Sequence, residues 1–447
     1  MTRALPARLG SYRPAMVGAT HPSDATWDAL LVCVAAYILC AVGRFHQLLP
    51  VLLPFKPLLI AGILSIVLYL AAARGLRGVN TLWSPTTRYV LLMLLWVALS
   101  VPGALWPGGA FRLLTEGFIK TVVMYFVIVG AVRGARDVER LAFVYFLSAA
   151  VHAAVVVMRF SPSDGDRLGY LYYYDANDFA TFVVSAIPLG LYFLLARRQL
   201  VRRAVAGAGL VVLATAFVRY GSRGGFLALL SVALFVLAGY GSVPLRWRMF
   251  GTVLLGLLFA GGANDGYWQR METMFHPEQD YNYTAPSGRW QLWQRGLGYM
   301  LQRPLFGVGA GNFGSAEGKI SPLAELQERG IGVKWSAAHN SFVQIGAELG
   351  VPGLVFFVGV FVTTFGALRA VRRAESRVAP LGPGPPRLAH PLMASLVGFT
   401  VGACFLTFGY EAMLYTLAAL AVALRKVTPA ATLGIPRPGP VLQPRRR

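Results

Sequence analysis

Nearly continuous apolar runs recur every 25 to 35 residues along this chain, each close to the length of about 17 to 25 residues that crosses a hydrocarbon core. Lipid offers no partner to an unpaired backbone N–H or C=O, so such runs read as helices. Composition agrees: 56% of the 447 residues are hydrophobic and only 13% are charged, against roughly a quarter charged in soluble domains. Spans are expected near 27–43, 57–73, 89–105, 117–132, 141–158, 178–196, 204–218, 225–241, 249–262, 346–368, 389–409 and 411–424. The expected fold class is an all-α polytopic membrane protein with about twelve transmembrane helices and one large, mainly helical loop. The chain divides accordingly into a tail at 1–26, helices 1–9 in 27–262, the loop at 263–338, helices 10–12 in 339–424, and a Pro-rich basic tail at 425–447. Arg3, Arg8 and Arg13 precede no compact apolar stretch with a cleavage site, so the first span is expected to stay as an anchor. Cys33, Cys40 and Cys404 fall inside apolar runs and suggest neither a disulfide framework nor a metal site.

The net charge of +22 invites a nucleic-acid reading, but its placement argues against one. With the N-terminus in the cytoplasm, alternate connections and both tails hold 26 of the 41 Lys and Arg. That alternation is the positive-inside pattern, and topology with contact to anionic lipid heads accounts for most of the charge. No nucleic-acid partner is expected. Both termini then face the cytoplasm, and the loop at 263–338 faces the opposite side. So do "DGDRLGYLYYYDAND" at 164–178, "RYGSRGG" at 219–225 and "WSAAHN" at 335–340. No Walker loop occurs, and no dinucleotide fingerprint in its strand–turn–helix setting.

Candidate chemistry gathers in those outward segments. Arg219 and Arg223 flank a glycine-containing turn; both could snorkel to lipid heads, while a guanidinium fork also suits a phosphate. Arg289 opens a helix for which Ser287 is the expected N-cap. A cation there opposes the helix dipole unless an anion lies nearby. Trp290, Trp293, Leu297 and Met300 share one stripe at helical spacing, as packing or as lipid contact. His339, followed by Asn340, begins a helix at the bilayer surface. Its imidazole is either structural or a proton acceptor suited to near-neutral pH. Arg167, Asn177 and Asp178 could contact a sugar or phosphate, and Lys56 an anionic head group. Asp164 and Asp166 are two oxygen ligands of the kind a divalent metal takes, too few to establish a site. Glu116 and Lys120 are spaced to pair within the membrane.

The stretches "RLGYLYYYDANDFA", "YGSRGG", "SGRWQLW…RPLFGVGAGNF" and "HNSFVQIGAELGVPGL" together resemble the O-antigen ligase/polymerase superfamily of bacterial glycosyltransferases. The similarity runs over roughly 160–370, with Ser287 to Leu354 its most specific part. A loop ending in His-Asn resembles the ligase branch. The resemblance implies a GT-C-like fold in the bacterial inner (cytoplasmic) membrane, with the site facing the periplasm. It implies an undecaprenyl-pyrophosphate-linked O-antigen donor and a lipid A–core acceptor, in lipopolysaccharide biosynthesis, with no cofactor and no metal. Matched by position, Arg223 and Arg289 take the family's catalytic arginines and His339 its histidine. Arg167, Asn177, Asp178, Lys56, Arg219 and Asn340 are the expected substrate-binding residues. A polymerase or a protein O-oligosaccharyltransferase shares this donor logic. A transporter of an anionic solute is the rival of another class, but no repeated halves or midplane polar breaks support it.

Overall fold

Capping chemistry sets where several helices of this chain begin. Asp28 accepts from the Leu31 amide at 2.8 Å to open α1 (Ala29–Ala41), and Ser84, followed by Pro85, accepts from the Thr87 amide to open α3 (Pro85–Ser100). Each side chain satisfies one of the orphan N–H groups of a first turn. Asp175 and Asp178 form a reciprocal capping box at the start of α6 (Ala176–Leu195). The remaining long helices are α2 (Pro57–Ala71), α4 (Ile119–Ala131), α5 (Ala135–Arg159), α7 (Leu200–Tyr220), α8 (Arg223–Gly239), α9 (Leu245–Gly262), α10 (Arg289–Gln302), α11 (Ser341–Val378), α12 (Ala389–Ala403) and α13 (Ala412–Val427). The computed structural model describes residues 26–72, 83–159, 175–196, 199–220, 222–239, 244–262, 265–272, 275–329, 332, 335–378 and 387–428. Among these residues no strand occurs.

Six described stretches are long and apolar enough to cross a membrane: Pro50–Ala71, Pro107–Ala131, Ala135–Arg159, Ala176–Leu195, Leu200–Tyr220 and Ser341–Ser376. The apolar helices α1, α3, α8 and α12 are shorter. Helix α6 is the centre of the bundle, packed against α5, α7, α8 and α12, with Phe179, Phe182, Val183 and Val184 wholly buried. Small residues permit this closeness. The Phe146 ring of α5 occupies a notch between Gly190 of α6 and Gly209 of α7, where an added Cβ would come within 2.5 and 2.6 Å of it. Helix α2, by contrast, buries only Ala61 and Ser65. Glu116 and Lys120 do not pair as expected. Both are exposed, without an ion pair between them, and Glu116 sits in the π-turn Leu113–Phe118 that precedes α4.

The two ends of the bundle differ in chemistry. At one end, Arg133 pairs with Asp28 at 2.7 Å and with the buried Asp137, which also holds Arg140. Lys426 donates to the Val129 carbonyl beside them. The other end receives the Arg44–Glu411 ion pair at 2.8 Å, the starts of α6, α8, α11 and α13, and the long connection between α9 and α11. That connection is mainly helical, with a small core of Leu292, Tyr299, Val308, Phe313, Ala316, Ala338 and Ala347. Helix α11 bends at Gly350 (φ 68°). Only glycine fits there, because the backbone is left-handed and an added Cβ would lie 2.3 Å from the Pro304 carbonyl.

Candidate active site

Helix starts bring the two central arginines into place. Ser222 accepts from the Gly225 amide at 3.0 Å, so Arg223 is the first residue of α8, as Arg289 is of α10. Each arginine thus belongs to a first turn with orphan N–H groups, and a cation and a helix start both favour an anion. The expected Ser287 cap is not made: Gly288 is the residue before α10. It is seated so tightly that a Cβ there would lie 2.7 Å from the carbonyls of Tyr281 and Asn282. Those residues belong to the turn Tyr281–Thr284, which Asp280 caps through the Asn282 amide. Asp280 also takes a two-pronged ion pair from Arg223, at 2.5 and 3.3 Å. One acidic turn therefore anchors Arg223 and abuts the start of the Arg289 helix. Burial pushes the Asp280 carboxyl up, but hydrogen bonds from Arg223 and Asn282 and the Arg223 charge outweigh it, leaving the group below the usual carboxylate range.

His339 is built differently. It is one of three described non-glycine residues with positive φ, at 48°, with Arg44 and Lys56. Such backbone is strained for a residue with a Cβ and persists only where its surroundings over-determine it. Here they do. The His339 amide donates to Thr407 Oγ1 at 2.9 Å, and Trp293 of α10 donates to the preceding Ala338 carbonyl at 3.0 Å. Asn340 then caps α11, its Oδ1 accepting from the Phe342 and Val343 amides. The first two turns of α11 bind the α12–α13 loop residue by residue. Ser341 bridges Leu406 and Phe408, Gln344 accepts from the Gly409 amide, and Glu348 accepts from the Tyr410 hydroxyl at 2.7 Å. On its other side the buried Glu348 carboxyl accepts from the Gly311 and Phe313 amides. The turn through Gly307, Gly309 and Gly311, all at positive φ, is thereby fixed against α11. A Cβ on Gly224 would strike Phe405 and one on Gly225 would strike Ala180, so the start of α8 is wedged against this same loop and against α6.

The other expected residues divide. Asn177 is buried and Asp178 closes the α6 capping box, at the same end of the bundle as His339. Arg219 is exposed and bonds its neighbour Tyr220. Lys56 is exposed between the 3-10 turn Pro50–Phe55 and α2, a helix packed chiefly on α1. Arg167, Asp164 and Asp166 lie outside the described residues. Among the described residues no cluster of three His, Cys, Asp or Glu could hold a metal. His152 and His390 are buried among helices, against Gly43 and Phe235 respectively. Asp280, Thr407, Glu348 and Tyr410 escaped the sequence reading. Glu348 had a signal, an acid inside an apolar run; Thr407 and Tyr410 act through contacts that no local pattern announces.

Residues 208–358 match the O-antigen ligase family. The matched stretch carries Arg223, Asp280, Arg289, His339 and Glu348. No curated protein matches the chain significantly.

Proposed function

Because the chain belongs to the O-antigen ligase/polymerase superfamily, a family of glycosyltransferase-like membrane enzymes, we propose that it is an O-antigen ligase of the bacterial inner membrane. In this reading, twelve spans hold a periplasmic site. There, O-antigen moves from undecaprenyl pyrophosphate to a sugar hydroxyl of lipid A–core. The observation that carries the reading is the placement of Arg223 and Arg289 at two adjoining helix starts, with His339 held in a strained backbone at the same bundle end. The donor's lipid tail stays in the bilayer while its pyrophosphate and sugar project outward. Such a donor requires anion-binding groups at the membrane surface.

The acceptor oxygen attacks the anomeric carbon as the carbon–oxygen bond to pyrophosphate breaks, and the electron pair leaves with the phosphate. Arg223, Arg289 and the adjacent helix N-termini stabilise that developing charge. His339 accepts the acceptor's proton. A single displacement inverts the anomeric configuration. Asn177, Asp178, Arg219, Asn340, Lys56 and Arg167 are assigned to binding the two substrates.

The test is transfer in vitro with purified protein, lipid-linked O-antigen and lipid A–core, in EDTA and without nucleotide. Wild type should give product; Arg223→Ala, Arg289→Ala and His339→Ala should insert normally and give none. Normal turnover by His339→Ala removes the base assignment. Product only when lipid A–core is replaced by a second lipid-linked repeat, or by a protein hydroxyl, moves the enzyme to the polymerase or the protein-glycosylating branch. Restoration of EDTA-blocked activity by a divalent ion revives Asp164 and Asp166.

A further inference from the structure

Helix α10 is amphipathic in the wrong sense for a helix in water. Of its two charged residues, Arg295 in mid-helix points inward, 14% exposed, onto the buried Glu317, which also accepts from Tyr299. Its outer stripe is apolar: Trp290, Leu297 and Leu301 are 44%, 51% and 67% exposed, and Leu305 and Phe306 continue it. Gln294 is the polar member of that stripe. A surface helix in water shows the reverse arrangement, and contiguous exposed apolar side chains mark an interaction surface. The expected single stripe of four is split. Trp293 turns inward to Ala338, and Met300 lies against Gly346, where an added Cβ would meet its sulfur at 2.9 Å.

The neighbours show what covers the outer face. Helix α10 runs alongside the first segment of α11 in the same direction: Gly296 meets Val343, Met300 meets Gly346, and Pro304 meets Gly350. That segment is held by span ends along its length. At its start lies the α12–α13 loop at Thr407 and Phe408. At its far end Trp96, one turn from the end of α3, donates to the carbonyls of Leu305 and Leu349 and stacks on Phe306. A segment tied to span ends at both termini lies along the membrane surface, and the bend at Gly350 lets α11 leave that plane to cross. Beyond the bend Val351, Val355, Val358 and Val362 form an exposed apolar stripe on a helix long enough to span. The stripe begins where α10 ends, since the Val351 amide donates to the Pro304 carbonyl at 2.8 Å.

We propose that α10 is an interfacial helix whose Trp290–Leu297–Leu301–Leu305 face is seated among the phospholipid acyl chains of the leaflet on the active-site side. The aromatic residues at its ends, Trp290 stacked on Tyr283 and Phe306 on Trp96, occupy the level at which such rings anchor. Resting on the functional reading above, this seating fixes Arg289 at the depth of a lipid-linked pyrophosphate.

The test is nitroxide accessibility in phospholipid vesicles, which needs no turnover. In a background with Cys33, Cys40 and Cys404 replaced by serine or alanine, spin labels are placed at L297C and L301C. V358C on the spanning part of α11 and K319C on the exposed loop helix end serve as references. Labels at 297 and 301 should collide with oxygen in preference to a water-soluble nickel chelate, as at 358, and opposite to 319. Labels at 297 and 301 that behave like 319 overturn the proposal, whatever the transfer assay gives. Should the cysteine-free protein fail to fold, quenching of Trp290 fluorescence by brominated phospholipids decides instead. Equal quenching in wild type and Trp290→Phe would then refute it.

Discussion

Glu348 offers the sharpest quantitative check on how the site is held. Its Oε2 accepts from the Gly311 amide at 2.8 Å and from the Tyr410 hydroxyl at 2.7 Å, and its Oε1 accepts from the Phe313 amide at 3.2 Å. The residue is 2% exposed, so water does not replace these bonds. A buried donor left without a partner costs about 1–3 kcal/mol. In Glu348→Gln one oxygen remains. Placed at the Oε2 position it keeps Gly311 and Tyr410, and the amide nitrogen then faces the Phe313 N–H, orphaning one donor. The expected loss is therefore about 1–3 kcal/mol. Glu348→Ala orphans all three and opens a void, so its loss should reach roughly 3–9 kcal/mol, a large share of the about 5–15 kcal/mol that holds a native protein. Equilibrium unfolding in mixed detergent and SDS reads the difference. Transfer kinetics on the alanine variant should show reduced kcat with little change in KM for either substrate, because loss of the Tyr410 contact loosens the loop holding Thr407 against His339. An alanine variant as stable as wild type, or a glutamine variant as damaged as alanine, would show that the carboxyl does not hold the glycine turn and the α12–α13 loop together.

Three further outcomes follow from the same geometry. His339→Gly removes the imidazole and relieves a left-handed backbone that costs a residue with a Cβ about 1–3 kcal/mol. It should be no less stable than wild type by thermal unfolding, while transfer falls by about 10²–10⁴-fold. Glu317→Gln leaves Arg295, 14% exposed, without its counter-charge; unfolding should lose about 3–5 kcal/mol, and the Trp290 environment should change with it. Asp280→Asn keeps an oxygen for the Asn282 amide but removes the charge that, on the proposed function, competes with the donor's pyrophosphate for Arg223. Donor KM should fall about fivefold, equivalent to about 1 kcal/mol, measured by initial rates. Because the folded Asp280 titrates below its unfolded value of about 3.9, its stabilisation is fully present above that value. It is lost only as pH falls through the lower folded value. Stability between about pH 5 and 9 should therefore be unchanged in slope by this substitution, and a steepened slope in pH-dependent unfolding would contradict the ion pair.

What the sequence carried and what it did not can be traced to the range of each interaction. Apolar runs act within a few residues, so helices stand where runs were expected. Arg223, Arg289 and His339 were legible because each opens or precedes a helix beside glycine or small residues. Asp280 was not, since its meaning lies in a partner 57 residues away. Trp293 and Trp290 sit on one helical stripe, yet one is tied to Ala338 and the other faces outward; the turn of α10 about its own axis is decided by Arg295 finding Glu317. The Ser287 cap failed for a related reason, because the packing of Gly288 against the Tyr281 turn moved the helix start by one residue.

The same long-range contacts explain why the candidate site sits at a seam between elements. Arg223 comes from α8, Arg289 from the long connection, and His339 from the start of α11, and no two of them share an element. Rigid helices fix each side chain at its own N-terminus, but their mutual spacing depends on three links. These are the Asp280 turn between Arg223 and Arg289, the Trp293–Ala338 bond between α10 and His339, and the Thr407 hydroxyl between His339 and the α12–α13 loop. Each link is one or two hydrogen bonds, worth about 0.5–3 kcal/mol, so opening one requires far less than unfolding a helix. The lipid-tailed donor of the proposed function would enter sideways from the bilayer, and an assembly of this kind can part at a link without losing its helices. Thr407→Val removes one such link while keeping volume. It should leave stability within about 1.5 kcal/mol of wild type yet lower kcat, and stability unchanged with kcat also unchanged would show that His339 is positioned by its strained backbone alone.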